Sequence, residues 1–372
     1  MRKRTLIPLL IAVILLCALG AMFYLRAKAP PEAARLLPES DAIAYLNLKS
    51  IRSATHFDQT SIDRSPDFQQ FIDATGIVPE RDLDAVALAL HRMPDPSGPN
   101  GPVAYSEVFI GRFDGVRLDH YLASLATSTE TYTGRTIYTI PIETGTPRSR
   151  NLRIAQLGYD VIAASNMPTP EQIHSMLDRS RSGALSTPGS SLLAARYHEV
   201  PLLSEAWGIG HIGLPFSDNG LISVLGLQLP LPEDTDFVAS LRYTAAAHVL
   251  SGGAVHLRGA VSLKIEEIAP NPAAAHSTVE ALTTLLNILR GISSEQAAAQ
   301  QAGNPSSTAI RDLLNATTLT DHDSRAVLNA TASLDQLKAL TTAHNPTASQ
   351  LEAPATNLPV PPATQTSHAA SK

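Results

Sequence analysis

Apolar residues recur at every second position in stretch after stretch of this chain, and no other feature constrains its fold as much. "AIAYLNL" (42–48), "LDAVALALH" (83–91), "SEVFIGRF" (106–113), "RTIYTI" (135–140), "DFVASLRYTA" (236–245) and "AVHLRGAVSLKIEE" (254–267) read as strands with one face buried. Between them the period changes to that of a helix. Ser65-Pro66-Asp67 marks a helix N-terminus, with Phe68, Phe71 and Ile72 on one side and Gly76 as the stop. A helix over 116–126 presents Val116, Tyr121, Leu122 and Leu125. Val279, Leu282, Leu285, Leu286, Leu289 and Ile292 form a long helical stripe, and Ile310, Leu313 and Leu314 a shorter one.

One unit of this grammar occurs twice. "NLRIAQL" and "DVIAAS" (151–157, 160–165), turned through Gly158-Tyr159 as a hairpin, lead into a helix with Thr169 as cap, Pro170 in the first position and Gln172 completing a capping box. Ile173, Met176 and Leu177 supply its apolar side. "SRAVLNATA" (324–332) leads into a helix capped by Ser333 and carrying Leu334, Leu337 and Leu340. Strand, cap and helix at 160–180 and again at 324–341 imply an α+β protein of two tandem lobes. Each is expected to be an antiparallel sheet with helices on one face, in a ferredoxin-like arrangement. The expected division is 1–26 cytoplasmic stub and transmembrane anchor, 27–38 linker, 39–205 first lobe, 206–342 second lobe and 343–372 disordered tail. The linker, "AKAPPEAARLLP", reads as a spacer. The tail lacks any apolar period and is dominated by Pro, Ala, Thr and Ser, so it has too little to bury to offset the entropy of ordering.

Arg2, Lys3 and Arg4 precede an uncharged run from Thr5 to Leu25. As a helix, Leu6–Leu25 would rise about 30 Å, enough to cross a bilayer core. The basic triplet leaves a short cytoplasmic stub and an exported body by the positive-inside rule, which places the chain in the cytoplasmic (inner) membrane. A cleaved signal peptide is the alternative, although Ala27-Lys28-Ala29 is followed by Pro30. Lipidation at Cys17 is another, although Leu16 stands where a small residue is needed. Cys17 is the sole cysteine, so the body forms no disulfide and offers neither thiol chemistry nor a cysteine-ligated zinc site. Five of the 28 basic residues flank the uncharged run, leaving 34 acids against 23 bases in the body. That balance argues against nucleic acid as a partner. Aromatic residues at 5% also speak against a base- or sugar-stacking platform.

The uncharged run, the short linker, "LLPESDAIAYLNL", then "YTGRTIYTI" and "YDVIAAS" before a capped helix resemble uncharacterised bacterial envelope proteins with one N-terminal anchor. The resemblance covers roughly 36–215 and implies location and fold; it carries no activity and no functional residue.

Residues 205–216, "EAWGIGHIGLPF", contain G-x-G-x-x-G at Gly208, Gly210 and Gly213, and Glu233 follows 20 positions later. A dinucleotide turn must open a helix whose free N–H groups hold the pyrophosphate. Here breakers follow instead, Leu-Pro-Phe-Ser-Asp-Asn-Gly, so the glycines read as strand residues that permit close backbone approach. Trp207, Ile209 and His211 alternate with Gly208, Gly210 and Ile212, which predicts a strand at the junction of the two lobes and a groove against it. The residues 221–229, "LISVLGLQL", read as a further strand. Asp321-His322-Asp323 holds three ligand-type side chains, but neighbours on an extended segment point apart and do not converge on one metal. The remaining histidines show no H-E-x-x-H, no i, i+4 pair and no H-x-H, and no G-x-S-x-G elbow is present. Glu266-Glu267 and Glu233-Asp234 read as solvated strand ends, "SGGA" (251–254) as a loop, and Trp207 as a packing residue. The sequons at Asn315 and Asn329 matter only in a glycosylating pathway.

The sequence thus assigns no catalytic, cofactor-binding or metal-ligating residue. Its leading expectation is a non-enzymatic, membrane-anchored envelope protein that binds another envelope protein or acts as a scaffold. The alternatives are an envelope hydrolase, with His322 beside Asp321 or Asp323, and a lipid- or small-ligand-binding protein with an apolar pocket between helices and sheet.

Overall fold

A computed structural model describes residue 20 and residues 28–59, 64–96, 98, 101–142, 150–183, 189–212, 221–224, 227–230, 235–249, 255–299 and 305–342. The first part of the chain runs α1 (Glu32–Leu36), β1 (Ala42–Leu46), α2 (Leu48–Thr55), α3 (Pro66–Thr75), α4 (Pro79–Asp82), β2 (Leu83–Arg92), β3 (Val103–Gly111), α5 (Gly115–Leu125), β4 (Ser128–Tyr132), β5 (Arg135–Ile142), β6 (Arg150–Gln156), β7 (Val161–Ser165), α6 (Glu171–Ser182) and α7 (Ser191–Arg196). The rest runs β8 (Ala206–Ile212), β9 (Leu221–Val224), β10 (Leu227–Pro230), β11 (Thr235–Val249), β12 (Val255–Ile268), α8 (Pro272–Ala299), α9 (Pro305–Ala316), β13 (Thr318–His322), β14 (Arg325–Ser333) and α10 (Leu334–Thr342).

Twelve of these strands form one antiparallel sheet in the order β13-β14-β12-β11-β8-β1-β2-β3-β7-β6-β5-β4, while β9 and β10 pair only with each other. This overturns the expectation of two lobes with separate sheets. The reason lies in β8, which is paired along its length on both sides: Gly208 meets Ala44 of β1 and Ala239 of β11. No break separates the halves, and helices cover both faces rather than one. Among the described residues no helix is long and apolar enough to cross a membrane. The stretch expected to do so, Leu6–Leu25, lies outside them apart from Gly20, as does the tail at 343–372.

The two faces carry different chemistry along the sheet. On what we call the front face, Tyr45, Ala87, Val108, Ala163, Ala155 and Ile137 follow one another across the first half in register. The helices α1, α6 and α7 lie over them, and Leu36, Leu37, Ile173, Met176 and Leu193 are at most 1% exposed. Part of the stretch read as a spacer is therefore core, because Ala33, Ala34 and Leu36 make one side of α1 small and apolar enough to sit flat on the sheet. In the second half the same face buries Val238 beside β8 and further out presents Arg242, Lys264, Glu266 and Asn329. On the back face, α3 and α5 pack on Tyr138, Ile154 and Ile162, and α8, α9 and α10 pack on the far half of the sheet.

This distribution explains why the repeated unit does not repeat in space. After β7, α6 lies on the apolar front face; after β14, α10 lies on the back, where Leu334 approaches Gly259 and Tyr243. A helix stripe of leucines gains nothing from a face of arginine, lysine and asparagine. Local capping differs as well. Ser333 caps its helix as expected, and does so in a reciprocal box with Gln336 (Gln336 N to Ser333 Oγ 3.2 Å; Ser333 N to Gln336 Oε1 2.7 Å). At the earlier helix the cap position is Pro170, which accepts no side-chain bond, and Thr169 Oγ1 turns to the Glu171 carboxylate.

Candidate functional site

β8 builds the centre of the back face. Its odd-numbered side chains face front: Trp207 is buried, stacked on Tyr45 (5.4 Å between centroids) and edge-on to Tyr197 (5.3 Å). Burial, with Tyr197 nearby, pushes the Tyr45 phenol up to about 12, so it stays neutral. The even-numbered positions face back, and two of them are glycines with different tasks. A Cβ on Gly210 would lie 2.4 Å from the Ala42 Cβ and 3.0 Å from the Asp41 carbonyl oxygen, so glycine there is a packing requirement. A Cβ on Gly208 would make ordinary contacts at 3.6 Å from Phe237 and 3.7 Å from the Ile43 carbonyl oxygen. Gly208 is not needed by the sheet; its missing side chain leaves open space on the back face.

That space is a groove of about 510 Å³ between the two helical covers, floored by Ala44, Leu46, Leu88, Ala206, Gly208 and Ala239 among others. Beside it lies a cavity of about 390 Å³ beneath α8, α9 and α10, walled by leucines such as Leu282, Leu286, Leu289, Leu314 and Leu337. Leu241 and Leu263 line both, so groove and cavity adjoin, and together they are called the trough. Its volume falls in the range of small-molecule sites, roughly 300–1,000 Å³. In register, Leu88, Ala44, Gly208, Ala239, Ile265 and Leu328 make an uninterrupted apolar row across six strands. Each strand under the trough is hydrogen-bonded on both sides, so the floor offers side chains and no free backbone group.

The polar candidates do not assemble into a reactive centre. Asp321 and His322 lie on the edge strand β13, with Asp323 at the turn (φ 53°), and all three are exposed. Asp321 accepts from or pairs with His276 (2.9 Å), while His322 meets Asp323 (2.9 Å), so they serve different partners. Among the described residues no cluster of three ligand-type side chains is placed to hold a metal. Glu266 and Glu267 are split by the strand. Glu266 faces front in a lattice with Lys264 and Arg325. Glu267 faces back, 6% exposed, with its carboxyl raised by burial despite a bond from Thr278. The expectation of a solvated strand end is wrong for Glu267. Gly213, Glu233-Asp234 and the loop 251–254 lie outside the described residues.

One buried polar chain had no sequence signal beyond isolated residues. His91 Nε2 lies 2.9 Å from Ser106 Oγ, which lies 3.0 Å from Ser165 Oγ, and all three residues are at most 5% exposed. Cross-strand register brings Ser106 and Ser165 together, which a single sequence does not show. Enclosed under α1, a serine–histidine contact of this kind has no space for a substrate and satisfies core polar groups instead.

No family model matches the sequence, and no curated protein matches it. Among solved structures, crystal form III of TP0453 is similar at 12% identity, over 84% of this chain and 99% of that one, with a TM-score of 0.42. Crystal form I of TP0453 gives 12% identity, 85% and 98% coverage and a TM-score of 0.39. A likeness this remote carries no argument about the site.

Proposed function

We propose that this protein binds a long aliphatic chain, as found in lipids and lipid-like amphiphiles, in the trough on the back of its sheet. The single observation that carries the reading is that groove and cavity adjoin at Leu241 and Leu263, with a lining that is mostly aliphatic and polar only at Ser240, Thr317 and the edges of Tyr45 and Trp207. A peptide laid on this floor as an extended strand would have to leave its N–H and C=O groups without partners, at several kcal/mol for each unmade bond. An alkyl chain has no such groups and gains about 0.8 kcal/mol for each CH₂ it removes from water. That contrast favours a lipid over the protein partner that the sequence first suggests. An envelope location is supported by the N-terminal basic triplet and the uncharged run after it, which fit an export or membrane-retention segment.

The test is titration of the purified body with a headless hydrophobic fluorophore and with alkyl ligands, followed by Gly208→Leu. We expect saturable binding with micromolar affinity, weakened at least about tenfold (~1.4 kcal/mol) by Gly208→Leu. Urea denaturation of the variant checks that the sheet is intact. Absence of binding by any alkyl probe, or equal binding by Gly208→Leu, would overturn the reading.

A further inference from the structure

The apolar row across the back face ends at one carboxyl. Glu107 on β3 stands directly opposite Leu88, which lines the groove, and opposite Ala164 on its other side. Its side chain is half-buried, and among the described residues it makes no hydrogen bond and no ion pair. The other charges of β2 on that face are engaged elsewhere or distant. Asp84 is held by Arg52 at 2.6 Å, and Arg92 lies four residues beyond Leu88, about 13 Å along the strand. From Glu107 toward β12 every position in the row is Leu, Ala, Gly or Ile.

We propose that Glu107 is the head-group residue of the trough, selecting alkyl chains that end in a hydrogen-bond donor, a primary amine or a hydroxyl. The inference rests on the aliphatic reading of the trough and names its ligand's polar end. A carboxylate left half-buried without a donor is an expensive group, and burial holds the Glu107 carboxyl above the ordinary carboxylate range. An amine or hydroxyl three strands from Gly208, roughly 14 Å away across the sheet, would supply the missing donor while its chain runs along the row. A ligand carboxylate in the same place would add like-charge repulsion.

The experiment compares dodecylamine, dodecanol and dodecanoate with the headless fluorophore, on wild type, Glu107→Gln and Glu107→Lys. Wild type is expected to bind the amine about tenfold more tightly than the carboxylate, a difference of ~1.4 kcal/mol. Glu107→Gln should bring the two within about twofold. Glu107→Lys should reverse the order, which a merely structural role would not do. Headless binding should be the same in all three. An amine-to-carboxylate ratio that survives both substitutions overturns the role of Glu107 while leaving the trough intact. Loss of headless binding in wild type overturns the trough itself and the head-group role with it. If Glu107→Lys does not fold, as circular dichroism would show, Glu107→Gln alone decides.

Discussion

The two halves of the sheet bury their helices on opposite principles. In the first half, α1, α6 and α7 press onto alanines and β-branched residues, and the contact is closed: Ala87, Ala155, Ala163, Ile173 and Met176 have no exposed surface. In the second half, α8, α9 and α10 meet leucines from both sides and leave about 390 Å³ among them. Small sheet residues let helix side chains reach the backbone and interlock, whereas leucine against leucine holds the layers apart. The difference teaches that the closed half holds the molecule together and the open half is where a ligand has room.

Truncating a large core residue breaks this comparison most directly. Met176→Ala should cost about 4 kcal/mol, near the upper part of the range for such changes, because the closed half has no way to collapse around the hole. Leu286→Ala, at 8% exposure on the wall of the cavity, should cost about 2 kcal/mol, since one side of that leucine already faces empty space. Urea denaturation of the two variants measures both. Equal costs would mean that the halves are packed alike.

Adding volume probes the same contrast from the other direction. Ala163→Leu inserts a larger side chain where nothing is exposed and should destabilise by about 1–3 kcal/mol. Ala330→Leu projects into the cavity and should change stability by less than about 1.5 kcal/mol while weakening alkyl binding. An Ala330→Leu protein that binds as well as wild type would place the ligand outside the cavity.

The legible part of this fold was local. β1, β2, the β6–β7 hairpin, α3 with its Ser65 cap and Gly76 stop, and the Ser333 cap follow from alternation, proline position and capping chemistry. What escaped depends on pairing between distant residues. β4 reads Ser-Thr-Glu-Thr-Tyr, with no apolar alternation, because an edge strand of this kind faces water on most sides. Its place is fixed by Glu130 and Tyr132 meeting His174 and Asp178 of α6. The single sheet escaped because β8 has to be seen paired on both sides, although its alternation did point to a central strand. The site was half-legible: the glycines mark close approach at Gly210 and open space at Gly208, two outcomes that the same residue type does not separate. The Glu107 row becomes visible only once six strands are in register.

The smallest expected effect separates the halves by pH. In the first half His91 is neutral in the core: burial lowers its pKa, only partly offset by the charge of Asp41 and a bond to the Glu39 carbonyl. The unfolded chain therefore takes up that proton first, so stability is complete above the ordinary value of 6.5 and falls as the pH drops below it. One proton limits the slope to about 1.4 kcal/mol per pH unit. In the second half burial alone would raise Glu199 and Asp236. Bonds from Arg325 and Arg196 to Glu199, and from His211 and Arg196 to Asp236, outweigh it and hold both below the ordinary range. Their contribution is present above the unfolded values of 4.5 and 3.8 and is lost as the pH falls through the depressed folded ones. Glu267 has the opposite sign, since burial raises it and stability declines as the pH climbs above 4.5. Acid should thus loosen the protein in two steps, the first set by the closed half. Urea denaturation from pH 7.5 to 3.5 should show His91→Gln without the upper step and Asp236→Asn with a reduced lower one. An upper step that persists in His91→Gln would assign it to another group and remove this distinction between the halves.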